Sequence, residues 1–220
     1  MYDALIPATR STTWAAVVLA ALQSVPPASV IVCDTAVKPL TSQYEFRMAA
    51  DIASERGVGF TYIRERANGV RESRIRLGDA STSEWMFWMD DDTLPEFDSV
   101  ERCLAMGHDL VVCRAPTPNN EYGHELWSAP TDGPELWSYG RSIEPVEDIR
   151  AGLGATLVHS RYWPEMRRVF SNGHQGGGSD RECWSVVGSP VVCPDAVSWE
   201  MKHPEARAFK PFVRTDKETA

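Results

Sequence analysis

Apolar residues in the first half of the chain alternate between helical stripes and short uninterrupted runs. The first stripe has the three- and four-residue spacing of one helix face, and its members are Trp14, Val17, Val18, Ala21, Leu22 and Val25. Two prolines, Pro26 and Pro27, end this helix. Residues 30–33 then form a continuous, mainly β-branched run, which predicts a buried strand that closes on Asp34.

The same alternation continues to residue 113. Further strands are predicted at residues 5–7, 58–63, 85–89 and 110–113, and further helices within residues 42–57, 68–79 and 97–107. Ser42 and Glu45 have the spacing of a capping box, and Gly57 is a predicted C-cap. Strands that alternate with helices are typical of an α/β fold, in which helices cover both faces of a mostly parallel sheet.

The second half of the chain has a less regular pattern. Residues 115–150 are rich in Pro, Gly, Glu and Trp, which predicts mainly loop with a single hairpin. Beyond them the pattern predicts strands at 153–158 and 191–193, helices at 162–170 and 181–187, and a glycine-rich loop at 173–179. No segment reads as a linker between two domains, so a single domain is expected.

Composition narrows the functional classes. The chain has 220 residues, 43% hydrophobic and 24% charged, as in an ordinary globular protein, and a net charge of −9 gives no general attraction to nucleic acid or anionic lipid. The five cysteines include no Cys-x-x-Cys pair, so buried, reduced thiols are expected. The apolar stretch 14–22 is too short to span a bilayer, which predicts a cytoplasmic protein without membrane insertion.

Polar groups follow three of the predicted strands at the point where each strand ends. Thr9 and Arg10 follow the first, Asp34 ends the second, and Asp90, Asp91 and Asp92 end the fourth. Ligands of open parallel α/β sheets bind beyond the carboxyl ends of the strands. We therefore expect these groups to lie around one ligand site.

Three adjacent carboxylates repel one another, and a cation would offset that repulsion. If the backbone stays extended, Asp90 and Asp92 point to the same side, where oxygen ligands would suit Mg²⁺ or Mn²⁺ shared with a substrate phosphate. The alternative is a solvated turn in which Asp92 or Thr93 caps a helix after Pro95. A dehalogenase-type phosphatase or a prenyl synthase would need Thr or Asp where Leu94 and Pro95 stand, and no P-loop occurs.

Six segments together resemble the family 2 glycosyltransferases, which have the nucleotide-sugar fold called GT-A. They are residues 30–34, 68–74, 88–92, 152–157, 178–184 and 199–204. The chain departs from the family pattern at Ile75, where the family has Asn, and at Ser179, where it has Glu. The resemblance covers residues 3–204 and is most specific at the three aspartates.

The resemblance implies a role for each residue at the strand ends. Asp34 would contact the donor base, and the segment with Pro7, Thr9 and Arg10 would hold the nucleoside. Arg74 would either meet the donor phosphates or belong to a solvated face with Arg71 and Arg76, and Asp90 and Asp91 would bind the donor.

Metal binding and catalysis are assigned in the same way. Asp92 and His203, with Asp90, would hold Mn²⁺ or Mg²⁺, and Asp90 could instead hold the ribose. Asp180 would be the catalytic base, which implies inversion of configuration. The simpler alternatives are that Asp180 caps the helix that follows it and that His203 is a surface histidine.

The sequence thus predicts a metal-dependent, hexosyltransferase-like enzyme that moves a sugar from a nucleotide-diphosphate donor, favouring UDP. Residues 1–114 would bind the nucleotide sugar, residues 115–204 would carry acceptor and catalytic functions, and residues 205–220 would be a tail. The acceptor is left open among small molecules, glycans, proteins and modified DNA, with a hydroxylated base of bacteriophage DNA as a lesser candidate. A nucleotidyltransferase on the same fold and a degenerate sugar-binding module are the alternatives.

Overall fold

The structure is a computed structural model. It describes residues 1–9, 13–23, 25–65, 69–114, 116–117, 120–124, 126–128, 136–137, 149–150, 153–172 and 179–200. The strands are β1 Tyr2–Ala8, β2 Ser29–Asp34, β3 Gly59–Arg64, β4 Trp85–Trp88, β5 Thr93–Pro95, β6 Leu110–Arg114, β7 Pro116–Thr117, β8 Asn120–His124, β9 Leu126–Ser128, β10 Leu136–Trp137, β11 Ile149–Arg150, β12 Thr156–His159 and β13 Val191–Glu200. The α-helices are α1 Trp14–Gln23, α2 Tyr44–Glu55, α3 Val70–Ala80, α4 Ser99–Ala105, α5 Trp163–Asn172 and α6 Ser179–Val187, and short 3₁₀ turns span Leu40–Ser42 and Ser160–Tyr162.

The described residues form a central sheet of eight strands in the order β3-β2-β1-β4-β12-β6-β13-β5. Neighbours run parallel from β3 to β4 and again between β6 and β13, whereas β12 is antiparallel to both of its neighbours and β5 is antiparallel to β13. The chain builds outward from β1 to β2 and β3, then returns to place β4 on the other side of β1. The sheet therefore has a topological switch point between β1 and β4, where open α/β sheets bind ligands.

Two apolar clusters cover the two faces of this sheet. Alternate residues of β1 divide between them, with Ala4 and Ile6 in one cluster and Leu5 in the other, as the two-residue period of a strand requires. The first cluster includes buried side chains of α1, α2 and α4, and the second includes those of α3, α5 and α6. The predicted α/β fold with helices on both faces is confirmed.

Of three local predictions, one is confirmed, one is wrong and one is shifted along the chain. Gly57 has a φ of 69°, the left-handed conformation expected just after a helix. The capping box is wrong, because Gln43 is the N-cap of α2 and the Ser42 hydroxyl donates to Pro39 O at 2.7 Å. The strand predicted at 153–158 is shifted to Thr156–His159, since the chain turns at Ala155 with a φ of 55°.

The last strand is longer than predicted. β13 runs ten residues, Val191–Glu200, rather than three. Its first part pairs with β6, and after an irregularity its last part pairs with β5. Pro194 and Asp195, which interrupt its apolar run, lie at this irregularity, which is why periodicity alone missed its length.

The five cysteines all lie among the described residues and are free and buried, as predicted. Burial, together with the nearby charges of Glu65 and Asp34, raises the pKa of Cys33 to about 11. In the described part of the chain, none of the helices is long and apolar enough to cross a bilayer.

Candidate functional site

A cavity of about 250 Å³ lies at the switch point between β1 and β4. It is lined by Pro7, Thr9, Val70, Arg74, Asp90, Asp91 and Asp92. Six of these seven residues were predicted as donor or metal ligands, so the sheet does bring the ends of β1 and β4 to one place. Val70 was missed, because an apolar residue at the start of a helix carries no chemical signal in the sequence.

The three aspartates form a turn rather than an extension of β4. Strand β4 ends at Trp88, and the amide of Thr93 donates to Asp90 O at 3.1 Å. The condition under which Asp90 and Asp92 would share one side of an extended strand is therefore not met. The capping alternative is also wrong, because Thr93–Pro95 is a strand and α4 begins later, after Asp98.

The central carboxylate, Asp91, faces inward. It is only 4% exposed. Its Oδ2 accepts from the Thr9 amide at 2.7 Å and from the Thr9 hydroxyl at 3.0 Å. These bonds offset part of the cost of burying a charge and tie the end of β1 to the turn after β4.

The first carboxylate, Asp90, lies beside a buried arginine. Its side chain is 41% exposed, and its Oδ1 is 3.6 Å from Nη2 of Arg74, whose side chain is 6% exposed. The Arg74 guanidinium also lies over the Phe170 ring, 5.9 Å from the ring centroid. These contacts hold a buried positive charge at the wall of the cavity.

Gly154 makes the room that Asp90 occupies. A Cβ at this position would lie 2.9 Å from Asp90 Oδ2 and 3.3 Å from Thr93 Oγ1. Any side chain there would displace the carboxylate. The signal in the sequence was the small-residue segment 152–157, although periodicity could not say which residue its glycine would approach.

Asp92 is the third carboxylate on the cavity wall and is half-buried. Asp90 and Asp92 supply hard oxygen ligands of the type that Mg²⁺ and Mn²⁺ prefer. Among the described residues, no group of three or more His, Cys, Asp or Glu side chains is arranged to hold a metal ion. His203, the remaining predicted ligand, lies outside the described residues, as does Arg10.

Asp34 lies at the end of β2 but is not among the residues that line the cavity. It is fully buried. Its two oxygens accept from the amides of Ala36 and Leu40, from the Tyr62 hydroxyl at 2.7 Å, and from Arg64 in an ion pair of 2.8 Å. Burial and the hydrogen bond to Asp34 raise the pKa of Tyr62 to about 12, so the tyrosine remains a donor.

These contacts give Asp34 a structural task that the sequence did not reveal. The carboxylate organises the loop 35–40, and the partner Arg64 also donates to Ala36 O at 2.7 Å. Contact between Asp34 and a donor base stays a prediction, and it would require an exchange of one of these partners.

Asp180 lies in the first turn of α6, where an acidic residue favours the helix dipole. Its backbone is described and its side chain is not. Helix α6 packs against α5, the helix that carries Phe170 beneath Arg74. Its catalytic role stays a prediction.

Four arginines of the segment 64–76 are described, and each contacts a group of the protein itself, whereas Arg66 lies outside the described residues. Their partners are Asp34 for Arg64, the carbonyls of Val169 and Phe170 for Arg71, Asp90 for Arg74 and Glu65 for Arg76. An arginine that pairs internally has less charge to offer a phosphate backbone. These contacts give no support to the DNA acceptor.

No family model matches the chain, and no curated protein matches it in sequence. Solved structures match it in fold. S. aureus TarS residues 1–349 align with a TM-score of 0.62 at 10% identity, over 91% of this chain and 60% of that chain. The chain has the GT-A fold. The same TarS fragment in complex with UDP-GlcNAc aligns with a TM-score of 0.60 at 10% identity, over 92% of this chain and 58% of that chain.

A second GT-A structure, GalNAc-T7 with UDP, GalNAc and Mn²⁺, aligns with a TM-score of 0.68 at 12% identity, over 93% of this chain and 44% of that chain. The chain thus spans between about two fifths and three fifths of the length of the solved structures it matches. Identities this low establish a shared fold and leave activity to be argued from the site.

Proposed function

We propose that this protein is a metal-dependent, inverting glycosyltransferase that uses a UDP-sugar donor. The observation that carries the proposal is the cavity at the β1–β4 switch point, lined by three carboxylates and a buried arginine. A nucleotide diphosphate brings negative charge, which Arg74 and a divalent ion would balance. An uncharged ligand would do nothing to offset the repulsion among three adjacent carboxylates.

The donor class follows from the fold together with the site. TarS has been solved with UDP-GlcNAc and with UDP, and GalNAc-T7 with UDP, GalNAc and Mn²⁺. In the present chain the cavity lies at the switch point of the sheet, where open α/β sheets bind ligands. We therefore favour UDP as the nucleotide carrier.

Asp92, with Asp90, would hold the divalent ion, which when bound would neutralise charge on the departing diphosphate. The pairing of β13 with β5 supports a contribution from the segment after β13. Glu200 is the register partner of Thr93, the residue directly after Asp92. His203 follows only three residues later in the sequence, and three residues span up to about 10 Å.

Asp180 would accept the proton of the acceptor hydroxyl. A carboxylate that acts as general base on the acceptor side leads to a single displacement and to inversion at the anomeric carbon. Asp180→Asn should lower turnover by about 100-fold or more while leaving donor binding nearly intact. Equal turnover in the two proteins would remove Asp180 from the reaction.

The first test is thermal unfolding with UDP, with UDP-sugars and with other nucleotides, each with and without Mn²⁺. A ligand that binds only the native state raises the melting temperature. We expect a Mn²⁺-dependent rise with UDP that Asp92→Ala abolishes and Asp51→Ala, an exposed carboxylate on α2, leaves unchanged. The absence of a rise with every nucleotide would overturn the proposal.

The product separates the glycosyltransferase from the nucleotidyltransferase alternative. A glycosyltransferase releases the nucleoside diphosphate from its donor, and a nucleotidyltransferase releases pyrophosphate. We expect slow, Mn²⁺-dependent release of UDP from a UDP-sugar, with water as acceptor. Release of pyrophosphate from a nucleoside triphosphate would favour the alternative.

A further inference from the structure

The three consecutive aspartates lie in three different environments. Asp90 is 41% exposed at its side chain and lies beside Arg74, and Asp92 is half-buried on the cavity wall. Asp91 is 4% exposed and bonds Thr9 through one oxygen. All three residues contribute to the cavity wall, but Asp91 is the most buried of them and the one bonded to Thr9.

The strands that these residues follow separate at the cavity. The pairing of β1 with β4 ends at Leu5 and Trp88, and one more bond joins the Met89 amide to Leu5 O at 3.0 Å. Beyond this point β1 continues beside β2 as far as Ala8, while the segment that follows β4 turns at Asp90. The cavity is lined by both segments, and the bonds from Thr9 to Asp91 connect them.

We propose that Asp91 is a positioning residue that fixes Thr9, on the wall of the donor cavity, without contacting donor or metal. This inference rests on the proposed function, since it assigns the central carboxylate a part in that same site. Thr9 is exposed, so its two bonds to a buried acceptor hold a wall residue in place. Preorganised walls spare a ligand the entropy of ordering them on binding.

The bonds from Thr9 require an acceptor oxygen at residue 91 but no negative charge. Both bonds from Thr9 converge on a single oxygen, Oδ2. An asparagine can present its one carbonyl oxygen at that place, so its side chain keeps both bonds without the charge. A metal ligand is different, because a carboxylate binds a divalent ion more strongly than a neutral amide oxygen does. Asp91→Asn and Asp92→Asn should therefore behave in opposite ways.

The experiment measures UDP binding with Mn²⁺ by titration calorimetry for the wild type and the variants Asp91→Asn, Asp91→Ala and Asp92→Asn, with Asp51→Asn as the control for loss of an exposed carboxylate. We expect Asp91→Asn to bind within about threefold of the wild type. We expect Asp91→Ala to bind about tenfold more weakly, because Thr9 loses its acceptor. Asp92→Asn should show no Mn²⁺-dependent binding.

Thr9→Val tests the interaction between Thr9 and Asp91 by changing the donor residue. It removes the hydroxyl bond and keeps the amide bond, so its loss of affinity should lie between those of Asp91→Asn and Asp91→Ala. Combined with Asp91→Ala it should add little, because both changes break one interaction. Fully additive losses would mean that the two residues act separately, which would overturn the positioning role.

The outcomes distinguish the two proposals. If wild type binds UDP with Mn²⁺ and Asp91→Asn fails as completely as Asp92→Asn, then Asp91 is itself a ligand and the positioning role is overturned while the proposed function stands. If wild type binds no nucleotide, the proposed function fails, and the positioning role fails with it. Melting temperatures without ligand show whether each variant is folded, and Asp91→Asn remains informative if Asp91→Ala does not fold.

Discussion

The two ends of the central sheet use aspartate in opposite ways. At the amino end, Asp3 of β1 is 1% exposed and bonded on all sides. It accepts from the hydroxyls of Ser29, Ser81 and Ser83 and from the amides of Thr82 and Ser83, at 2.8 to 3.0 Å. At the carboxyl end, Asp90 and Asp92 border a cavity and keep oxygens within reach of solvent.

The comparison distinguishes a carboxylate that stabilises the fold from carboxylates that a ligand can reach. Asp3 fastens the start of β1 to the start of β2 and to the loop before β4, and it has no capacity left for a ligand. Asp90 and Asp92 line the cavity, and the Asp90 side chain is 41% exposed, so a ligand in the cavity could reach them. Asp34 and Asp91 resemble Asp3 in burial although they lie at the carboxyl end, which shows that position on the sheet alone does not decide the role.

The largest expected effect is at the amino end. Asp3→Ala leaves several buried donors without an acceptor at once, so the free energy of unfolding should fall by roughly 3–4 kcal/mol. Denaturation with urea measures it. Nucleotide binding, measured at a temperature where the variant is folded, should stay close to that of wild type, since the carboxylate lies at the other end of the sheet.

A variant that keeps its stability would show that the donors around Asp3 find other partners. Asp90→Ala is the matched change at the carboxyl end, and we expect it to change stability far less, because its side chain is 41% exposed. Equal losses of stability in the two variants would remove the distinction between the two ends.

A smaller effect is expected from Gly154→Ala at the cavity. The added methyl group would lie 2.9 Å from Asp90 Oδ2, and Gly154 does not have the left-handed φ that would strain an alanine. Crowding of this kind costs about 1–2 kcal/mol, so affinity for UDP with Mn²⁺ should fall about tenfold. Stability should change little if the carboxylate swings toward the solvent.

The double variant shows whether the methyl group acts through Asp90. In an Asp90→Ala background, Gly154→Ala should weaken UDP binding no further, because the crowded oxygen is gone. If the two losses simply add, Gly154 affects the cavity by a route other than Asp90.

The smallest effect concerns pH. Burial by itself raises the pKa of Asp3, but the hydrogen bonds from Ser29, Ser83 and Thr82 outweigh it and hold the pKa below its ordinary value. A carboxyl with a lowered native pKa contributes stability that is present above the unfolded pKa of about 4 and is lost as the pH falls through the native value. The stability difference between wild type and Asp3→Asn should therefore shrink below about pH 4.

Urea unfolding of both proteins at neutral pH and at successive values below pH 4 measures this difference. Asp51→Asn serves as the comparison, since it removes an exposed carboxylate and should show no such convergence. A constant difference between wild type and Asp3→Asn across the whole range would contradict the lowered native pKa.

The sequence by itself determined the class of fold and which strand ends meet around the cavity. The alternation of β-branched runs with helical stripes predicts β2, α1 and α2, because burial on one face imposes a fixed period on each element. The three aspartates after an apolar run mark a strand end, and strand ends in such sheets meet at one edge. Both inferences are local, so a single sequence sufficed for them.

Only the tertiary structure decided what each carboxylate does. Asp91 and Asp92 are neighbours with the same side chain, and the difference in their environments comes from Thr9, which lies 82 residues away from Asp91. Gly154, which lies just before the neighbouring strand β12, likewise approaches Asp90 from a distant part of the chain. Burial and hydrogen bonding depend on partners that no local pattern specifies, and that is why residue type and spacing located the site without distinguishing the roles within it.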